Sequence, residues 1–262
     1  MGSATTQALA ASTDALAAAS GLTLDSAAEL FAAARAIGDS AQLSGALADP
    51  AAPAQARTAL VTAVFSGASA PVRTLLTAVV AERWSSASDL VDGVEELAIR
   101  ATAISSAKDD VAGELFSFSR IVAANPELEL ALGSRLGDAA AKGALVEELL
   151  GTSASPATVL IASSLVRQPR ERRVRQLLSR AISIVSAQDG RTVATVYTAA
   201  PIAVAQETRL RDALARRYGG EISINQVIDP TVVGGLRVQI ADDVIDGSIS
   251  ARLADLRQKL AS

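Results

Sequence analysis

Cysteine and histidine are both absent from this sequence of 262 residues. Their absence excludes disulfides, thiolate nucleophiles, the usual zinc sites and the imidazole base on which most serine and cysteine hydrolases depend. Aromatic residues make up only 3% of the chain, although half of its residues are hydrophobic. Alanine supplies much of that half, which favours closely packed helices over a large ligand pocket. We therefore expect a helical protein without a catalytic site, a cofactor or a metal.

Long apolar runs are missing as well. No stretch of about 18 residues, roughly the length that crosses a bilayer, is free of charged or polar residues. The apolar run at 74–80, for example, is followed closely by Glu82 and Arg83. Residues 1–6 lack the cationic start and the apolar stretch of a secretory signal. The sequence thus predicts a protein that stays in the cytoplasm.

The chain also lacks an excess of positive charge. Its formal net charge is −4, with 24 basic and 28 acidic residues. Because proteins bind nucleic acids mainly by neutralising phosphates, this balance argues against general nucleic-acid binding. One local basic cluster does occur, and it consists of Arg167, Arg170, Arg172, Arg173, Arg175 and Arg180. We interpret it as a solvated or protein-binding surface, with a nucleic-acid or signalling adaptor that uses Arg167 to Arg180 as the alternative function.

Part of the chain repeats itself at an offset of 85 residues. The Glu-Leu-Phe sequence at 29–31 recurs at 114–116. The same offset pairs Arg35 with Arg120, Leu60 with Leu145, Pro71 with Pro156, and Leu75 with Leu160. Apolar residues recur at steps of three and four in matching places, as on the buried face of a helix. The repeat therefore predicts two related helical bundles, at 24–99 and 109–187.

The pattern changes near residue 190. Residues 191–198, 221–228 and 236–241 alternate between apolar and polar side chains, as β-strands do. Helical spacing returns at 203–218, where a pair of glycines ends the helix, and again at 250–260. These elements predict a small α/β domain.

Together the patterns predict a mostly α protein with a small α/β domain at its C-terminus. We expect tandem helical bundles followed by a short mixed sheet with two helices. The first bundle is placed at residues 1–105, the second at 106–190 and the α/β domain at 191–262. The duplicated bundle fits either a thickened scaffold or a second binding unit, and periodicity does not decide between them.

The C-terminal segment carries a resemblance to a known family. The residues concerned are Asp229, Pro230, Gly234, Gly235, Asp242, Asp246, Gly247 and Ser248. In this order they resemble the C-terminal motif of the ATP synthase delta subunit, whose mitochondrial counterpart is the oligomycin-sensitivity-conferring protein. The segments 125–128 and 144–150 resemble the helical domain of the same family. Ala241 stands where the family commonly has glycine, and the extra N-terminal bundle is similar to the enlarged delta subunits of actinobacteria.

The resemblance implies a non-catalytic subunit of the peripheral stalk, or stator, of the proton-translocating rotary ATP synthase. Such a subunit links the alpha and beta subunits of the catalytic head to the membrane-anchored b subunit. The implied partners are the N-terminal helices of alpha subunits and the C-terminal helices of b, with the beta subunit as a further candidate. No nucleic acid is expected. The membrane is reached only indirectly, at the cytoplasmic face of the bacterial cell membrane.

Candidate partner-binding residues lie on two groups of helices. For the head we expect contacts on the helices that begin at Pro71 and Pro156, with Leu75, Val79, Leu160 and Ser164 as candidates. For the stalk we expect one stripe of the last helix, formed by Ile249, Leu253, Leu256 and Leu260. A further hypothesis assigns the head to one copy of the repeat and the stalk to the other.

The glycine pair and the nearby aspartates have alternative interpretations. Gly234 and Gly235 could cradle a phosphate, but the surrounding sequence of a nucleotide-binding loop is missing. A turn between strands is the preferred interpretation. The aspartates at 242–246 could bind a cation or act as acid and base, although the further ligands of a calcium loop are missing. We expect Asp246 and Ser248 to stabilise the turn before the last helix, and carboxylate or serine catalysis stays open as a third function.

Overall fold

The chain divides into two compact units, Met1–Val185 and Ser186–Ser262. A computed structural model describes residues 2–134, 137–170, 172–240 and 243–249. In this part of the chain the first unit is built from helices, and the second from a four-stranded sheet with one complete helix. The mostly α fold with a small α/β domain is therefore confirmed.

Eleven helices occur in the described part of the first unit. They are α1 (Ser3–Ala18), α2 (Leu24–Asp39), α3 (Ala41–Ala48), α4 (Ala54–Val64), α5 (Ala70–Ala81), α6 (Ala87–Ser105), α7 (Val111–Ala124), α8 (Pro126–Gly133), α9 (Ala139–Leu150), α10 (Pro156–Arg167) and α11 (Val174–Gln188). Helices α2 to α6 and α7 to α11 follow one another in the same order and with similar lengths. The repeat in the sequence is thus also a repeat of secondary structure, and we call α2–α6 the first copy and α7–α11 the second copy.

A buried cation holds the same pair of helices together in both copies. Arg57 on α4 donates from Nη1 to the carbonyl oxygen of Asp49, at the end of α3, over 3.0 Å. Lys142 on α9 donates from Nζ to the carbonyl oxygen of Ser134, at the end of α8, also over 3.0 Å. Each cation is only 7% exposed. Positive charge is favourable there because the last carbonyl groups of a helix lack partners within it.

A glutamate ties two further helices together in each copy. The carboxylate of Glu29 on α2 accepts a hydrogen bond of 2.8 Å from the backbone N–H of Ser69, just before α5. The carboxylate of Glu114 on α7 accepts from the N–H of Ser155 (2.9 Å), just before α10, and from the hydroxyls of Ser155 (2.7 Å) and Thr158 (2.6 Å). Ser155 is also the N-cap of α10, as predicted, because its hydroxyl accepts from the Thr158 N–H.

Helix α6 is the most extensively packed element of the first unit. Twelve of its 19 residues are buried. It lies along α2 and also contacts α1, α3, α5 and α10. A helix that is buried on most of its circumference belongs to the interior and not to the surface of a domain. The neighbours of α6 come from both copies.

The second unit is a mixed sheet with a helix on one face. Its elements are β1 (Arg191–Thr198), α12 (Val204–Tyr218), β2 (Glu221–Ile228), β3 (Leu236–Ile240) and β4 (Asp243–Asp246). The strand order is β2-β1-β3-β4, with β1 and β2 parallel and the other pairs antiparallel. Leu214 of α12 packs in one apolar cluster with Ala194, Val196, Ile222 and Val238. Helix α12 thus connects two parallel strands and covers their shared apolar face.

Strand β4 differs from the prediction. Only a turn was expected among the aspartates of this segment, but Asp243–Asp246 pairs with β3, with Arg237 opposite Asp246. Val244 and Ile245 favour an extended backbone, and aspartates are tolerated because β4 lies at the edge of the sheet. Ala241, Asp242 and the helix predicted at 250–260 lie outside the described residues.

The glycine pair forms a turn, as predicted. Gly234 and Gly235 have φ angles of +65° and +75°, a region that side chains strongly disfavour. A Cβ on Gly235 would lie 2.4 Å from the carbonyl oxygen of Gly247. Gly235, just before β3, and Gly247, just after β4, are therefore in close backbone contact.

Candidate interaction surfaces

The candidate head contacts lie mostly inside the first unit. Leu75 and Val79 on α5 are 2% and 1% exposed, and Ser164 on α10 is 7% exposed. They are buried because the apolar stripe of an amphipathic helix faces the core of its own domain. Leu160 is partly exposed. Of these four side chains Leu160 alone presents surface, and a head contact on α5 or α10 stays a prediction.

The arginine cluster is used for contacts within the chain. Nη2 of Arg170 lies 2.6 Å from Oδ1 of Asp92 and 3.0 Å from Oε2 of Glu95. Nη2 of Arg172 lies 2.9 Å from Oε1 of Glu95. Both arginines belong to the connection between α10 and α11, and both acids lie on α6. The connection in the second copy is thereby fixed to the last helix of the first.

Two further arginines meet the next glutamate of α6. Nη2 of Arg180, on α11, lies 3.2 Å from Oε2 of Glu96. Nη2 of Arg100, one turn further along α6, lies 2.7 Å from the other carboxylate oxygen of Glu96. We call the seven residues Asp92, Glu95, Glu96, Arg100, Arg170, Arg172 and Arg180 the ionic network.

The interpretation of the arginine cluster as a solvated or protein-binding surface is therefore wrong for Arg170, Arg172 and Arg180, which bind α6. Three of its arginines belong to the ionic network, while Arg167 pairs with Glu147 at 2.7 Å and Arg175 with Glu129 at 2.9 Å. Arg173 is exposed. With most of the positive charge already neutralised, an adaptor function based on this cluster loses its physical basis.

Sequence reasoning missed the acidic half of the ionic network. Glu95 and Glu96 are each 6% exposed. Buried carboxylates require charged or hydrogen-bonded partners, because their desolvation is otherwise very unfavourable. Two adjacent glutamates in a largely apolar helix were the available signal. Apart from Arg100, their partners lie 75 to 84 positions away along the chain, so no local pattern could identify the contact with the second copy.

A second polar contact joins the copies beside the ionic network. Nε2 of Gln168, at the end of α10, donates to Oδ1 of Asp39 at 2.6 Å and to the carbonyl oxygen of Arg35 at 3.4 Å. Burial, and secondly the charge of nearby Arg167, lowers the pKa of Arg35. The last turn of α2 thus contacts the end of α10 in the second copy.

Exposed apolar side chains mark the outer surfaces of α4 and α9. Val64 is 46% exposed and Leu149 is 47% exposed, and the repeat offset relates these two positions. Leu145, one turn before Leu149, is 36% exposed. Leu130 on α8 is 76% exposed and lines a cavity of about 450 Å³ beside the start of α11. Single exposed apolar residues are common, but pairs one turn apart can seat a partner helix.

The candidate stalk contacts are only partly within the described residues. Ile249 is 50% exposed, and its N–H donates to the carbonyl oxygen of Gly234 over 3.2 Å. Oδ1 of Asp246 accepts from the N–H of Ser248 over 2.9 Å, which closes the turn as expected. Hydrogen bonds from the Ser248 side chain, and then from its backbone, lower the pKa of Asp246. The other candidates, Leu253, Leu256 and Leu260, lie outside the described residues.

The described ranges contain neither a candidate membrane span nor a candidate metal site. No helix there is both long and apolar enough to cross a bilayer. No group of three or more acidic side chains within those ranges is arranged to hold a metal ion.

Comparison with known proteins decides the family. Residues 98–260 match the family described as ATP synthase delta (OSCP) subunit. The chain belongs to this family. An ATP synthase subunit delta from Leifsonia xyli subsp. xyli is 51% identical over 263 residues, which cover 100% of both chains. The subunit delta of Streptomyces avermitilis is 42% identical over 221 residues, covering 82% of this chain and 81% of that one.

Among solved structures, a chain of the cryo-EM structure of the Toxoplasma gondii mitochondrial ATP synthase hexamer is similar to this chain. The similarity covers 64% of this chain and 97% of that chain, with 22% identity and a TM-score of 0.36.

Membership of the delta (OSCP) family confirms the resemblance drawn from the C-terminal motif. The motif at 229–248 and the second copy both lie inside the matched range, which begins within α6. Most of the first copy precedes that range. The Leifsonia relative nevertheless matches along the whole chain, so the duplicated bundle is not peculiar to this sequence.

Proposed function

We propose that the chain is a stator subunit of the rotary ATP synthase that links the alpha–beta head to the membrane-anchored b subunit. The observation that carries this proposal is the match of residues 98–260 to the delta (OSCP) family. A stator must resist torque without releasing between catalytic steps. Several modest interfaces on one chain achieve this, because a broken contact rebinds at a high effective concentration. The chain itself is non-catalytic and lies at the cytoplasmic face of the membrane through its partners.

The second copy is the proposed contact for the N-terminal helices of alpha subunits. It is the copy that lies within the matched range. Leu145 and Leu149 on α9, together with the partly exposed Leu160 on α10, offer apolar surface on two helices that pack together. An amphipathic partner helix binds such a surface with its apolar side chains. The first copy would then brace the assembly.

The end of the second unit is the proposed contact for the C-terminal helices of b. The half-exposed side chain of Ile249 supports this placement. Leu253, Leu256 and Leu260 continue the same predicted stripe. The beta subunit stays a further candidate partner, without an assigned surface.

Two matched variants of the full-length chain test the head contact. The probe is a synthetic peptide with the N-terminal sequence of the alpha subunit from the same organism, titrated calorimetrically. Leu149→Glu is expected to weaken binding about 10-fold or more, because the new charge would lose its hydration in an apolar contact. Val64→Glu changes the equivalent position of the first copy, which is equally exposed, and should leave the affinity unchanged.

The same titrations separate failure of the surface from failure of the function. Equal weakening by both variants would show that the head is not assigned to the second copy alone. A peptide with the C-terminal sequence of b should bind both variants as well as the parent chain, and the purified chain should not hydrolyse ATP. If the full-length chain binds neither peptide, the stator function is contradicted.

A further inference from the structure

The helices of the first unit form two similar series of six, which overlap by one helix. Helix α1 precedes α2 to α6, and α6 in turn precedes α7 to α11. The first residues of α1 and α6, Ser3 and Ala87, lie almost one repeat offset apart. Helix α6 is therefore the last member of the first series and, at the same time, the first member of the second.

The opening helix of each series contacts the closing helix of the same series. In the first series, Oγ1 of Thr5 on α1 donates to Oδ2 of Asp89 on α6 over 2.8 Å. In the second, Nη2 of Arg180 on α11 donates to Oε2 of Glu96 on α6 over 3.2 Å. Helices α1 and α6 thus occupy corresponding places, each against the helix that ends its own series.

The chemistry of α6 differs from that of α11 at the positions that face the other copy. The two helices can be aligned by their buried apolar residues. Leu90 and Val94 of α6 then correspond to Leu177 and Ala181 of α11, and all four are buried. In the same alignment Glu95 and Glu96 of α6 correspond to Ile182 and Ser183 of α11. Helix α6 alone carries the buried acids, and these acids bind arginines of the second copy.

We propose that α6 is a shared helix, which closes one six-helix bundle and opens the next, and that it couples the two copies into one mechanical body. Its two sets of contacts, along α2 and by ion pairs with the α10–α11 connection, bind α6 to both copies at once. Met1–Val185 forms one compact unit, as this sharing requires. A load on one copy then passes to the other through α6. The proposal holds whichever partners the two copies bind.

Two equivalent core leucines provide a test on the full-length chain. Leu30 on α2 and Leu115 on α7 are related by the repeat offset, and both are 0% exposed. Replacing a buried leucine by alanine increases local opening about 100-fold or more. With α6 shared, Leu30→Ala should accelerate hydrogen exchange in α7–α10 by a factor comparable to that in α2–α5, and Leu115→Ala should do the converse. Mass spectrometry of peptides resolves the two regions.

A variant in the second unit is the control for both leucine variants. Leu214→Ala, in the core of the second unit, should leave exchange in both copies unchanged. Acceleration confined to the mutated copy, in both leucine variants, overturns the proposal. Should Leu30→Ala fail to fold, Ile37→Val on α2 removes a single methyl group from a 0% exposed side chain and serves in its place. For Leu115→Ala the replacement is Val122→Ala on α7, at the repeat equivalent of Ile37, which is also 0% exposed.

The ionic network is tested by a second variant in the same assay. Glu95→Gln removes one of the buried acids by which α6 binds the second copy. Added to Ile37→Val, it should reduce the acceleration seen in α7–α10 relative to that seen in α2–α5. An unchanged ratio would show that the ionic network does not carry the coupling.

Discussion

Among single residues, Trp84 shows how closely the helices of the first unit approach one another. Its side chain is 3% exposed, and its Nε1 donates to the carbonyl oxygen of Val79 over 2.8 Å. The six-membered ring lies directly on Gly93 of α6, where a Cβ would come within 2.2 Å of Cη2. The indole therefore depends on the absence of a side chain at residue 93. Only one tryptophan occurs in the sequence, and this contact fixes its place.

A substitution at residue 93 is expected to destabilise the protein. In Gly93→Ala the new methyl group must displace the indole from a packed interior, which lowers the free energy of unfolding by about 1–3 kcal/mol. Gly45→Ala is the matched control, because Gly45 also lies within a helix but nothing is within 4 Å of its Cβ position. It should raise the free energy of unfolding by about 0.5–1 kcal/mol. Urea unfolding followed by circular dichroism measures both, and equal stability of the two variants would contradict the packing argument.

Glu114 makes the stability of the second copy depend on pH. Burial raises the pKa of this carboxyl, but the hydrogen bonds from Thr158 and Ser155 outweigh burial and lower it below the ordinary value of 4.5. Because the folded pKa is lowered, the stabilisation is fully present above the ordinary pKa of 4.5, which the unfolded chain has. It is lost as the pH falls through the folded pKa.

The variant Glu114→Gln tests this dependence. At pH 7 the free energy of unfolding should fall by about 1 kcal/mol, since a charged acceptor is replaced by a neutral one at a partly exposed site. The difference from the parent chain should shrink as the pH is lowered from 5 towards 3. Glu29→Gln is the control, because Glu29 accepts from the Ser69 backbone at the equivalent place, without a counterpart of Thr158. A loss for Glu114→Gln that does not change with pH would refute the assignment.

At the scale of elements, the turn between β2 and β3 joins both ends of the C-terminal motif. Gly219 and Gly235 both have positive φ, +76° and +75°, but only Gly235 would place a Cβ against another backbone atom. Gly219→Ala should cost about 1–3 kcal/mol from backbone strain alone, because its ψ is 157°. Gly235→Ala should cost clearly more, because the carbonyl of Gly247 must also move. Thermal unfolding of the two variants compares them, and equal melting temperatures would contradict the close approach.

Elements with regular patterns could be predicted from the sequence, and irregular ones could not. The alternation in β1 and β2 gave their observed bounds, and Ser155 followed by Pro156 marked the start of α10. Strand β4 was missed because its aspartates are typical of turns, while its extended backbone depends on pairing with β3. The head candidates on α5 and α10 were chosen from apolar stripes. An apolar stripe is as typical of burial within a domain as of a partner contact, and most of those side chains are buried in the structure.

In the whole molecule, the repeat was visible in the sequence but its consequence was not. Identical residues at one offset predicted two bundles, since duplicated segments keep the same buried positions. The dual role of α6 could not be predicted, because it depends on ion pairs between Glu95 or Glu96 and arginines of the second copy. The C-terminal motif, in contrast, was sufficient for the family, which the match over residues 98–260 confirms.

The stator function is tested most directly by restoring coupled ATP synthesis. Inverted membrane vesicles from the source organism are stripped of this chain and then supplied with the purified full-length protein. We expect proton-driven ATP synthesis to return in proportion to the added chain until the binding sites are filled, with Leu149→Glu restoring less at the same concentration. Vesicles that rebind the chain yet make no more ATP than stripped vesicles would contradict the account.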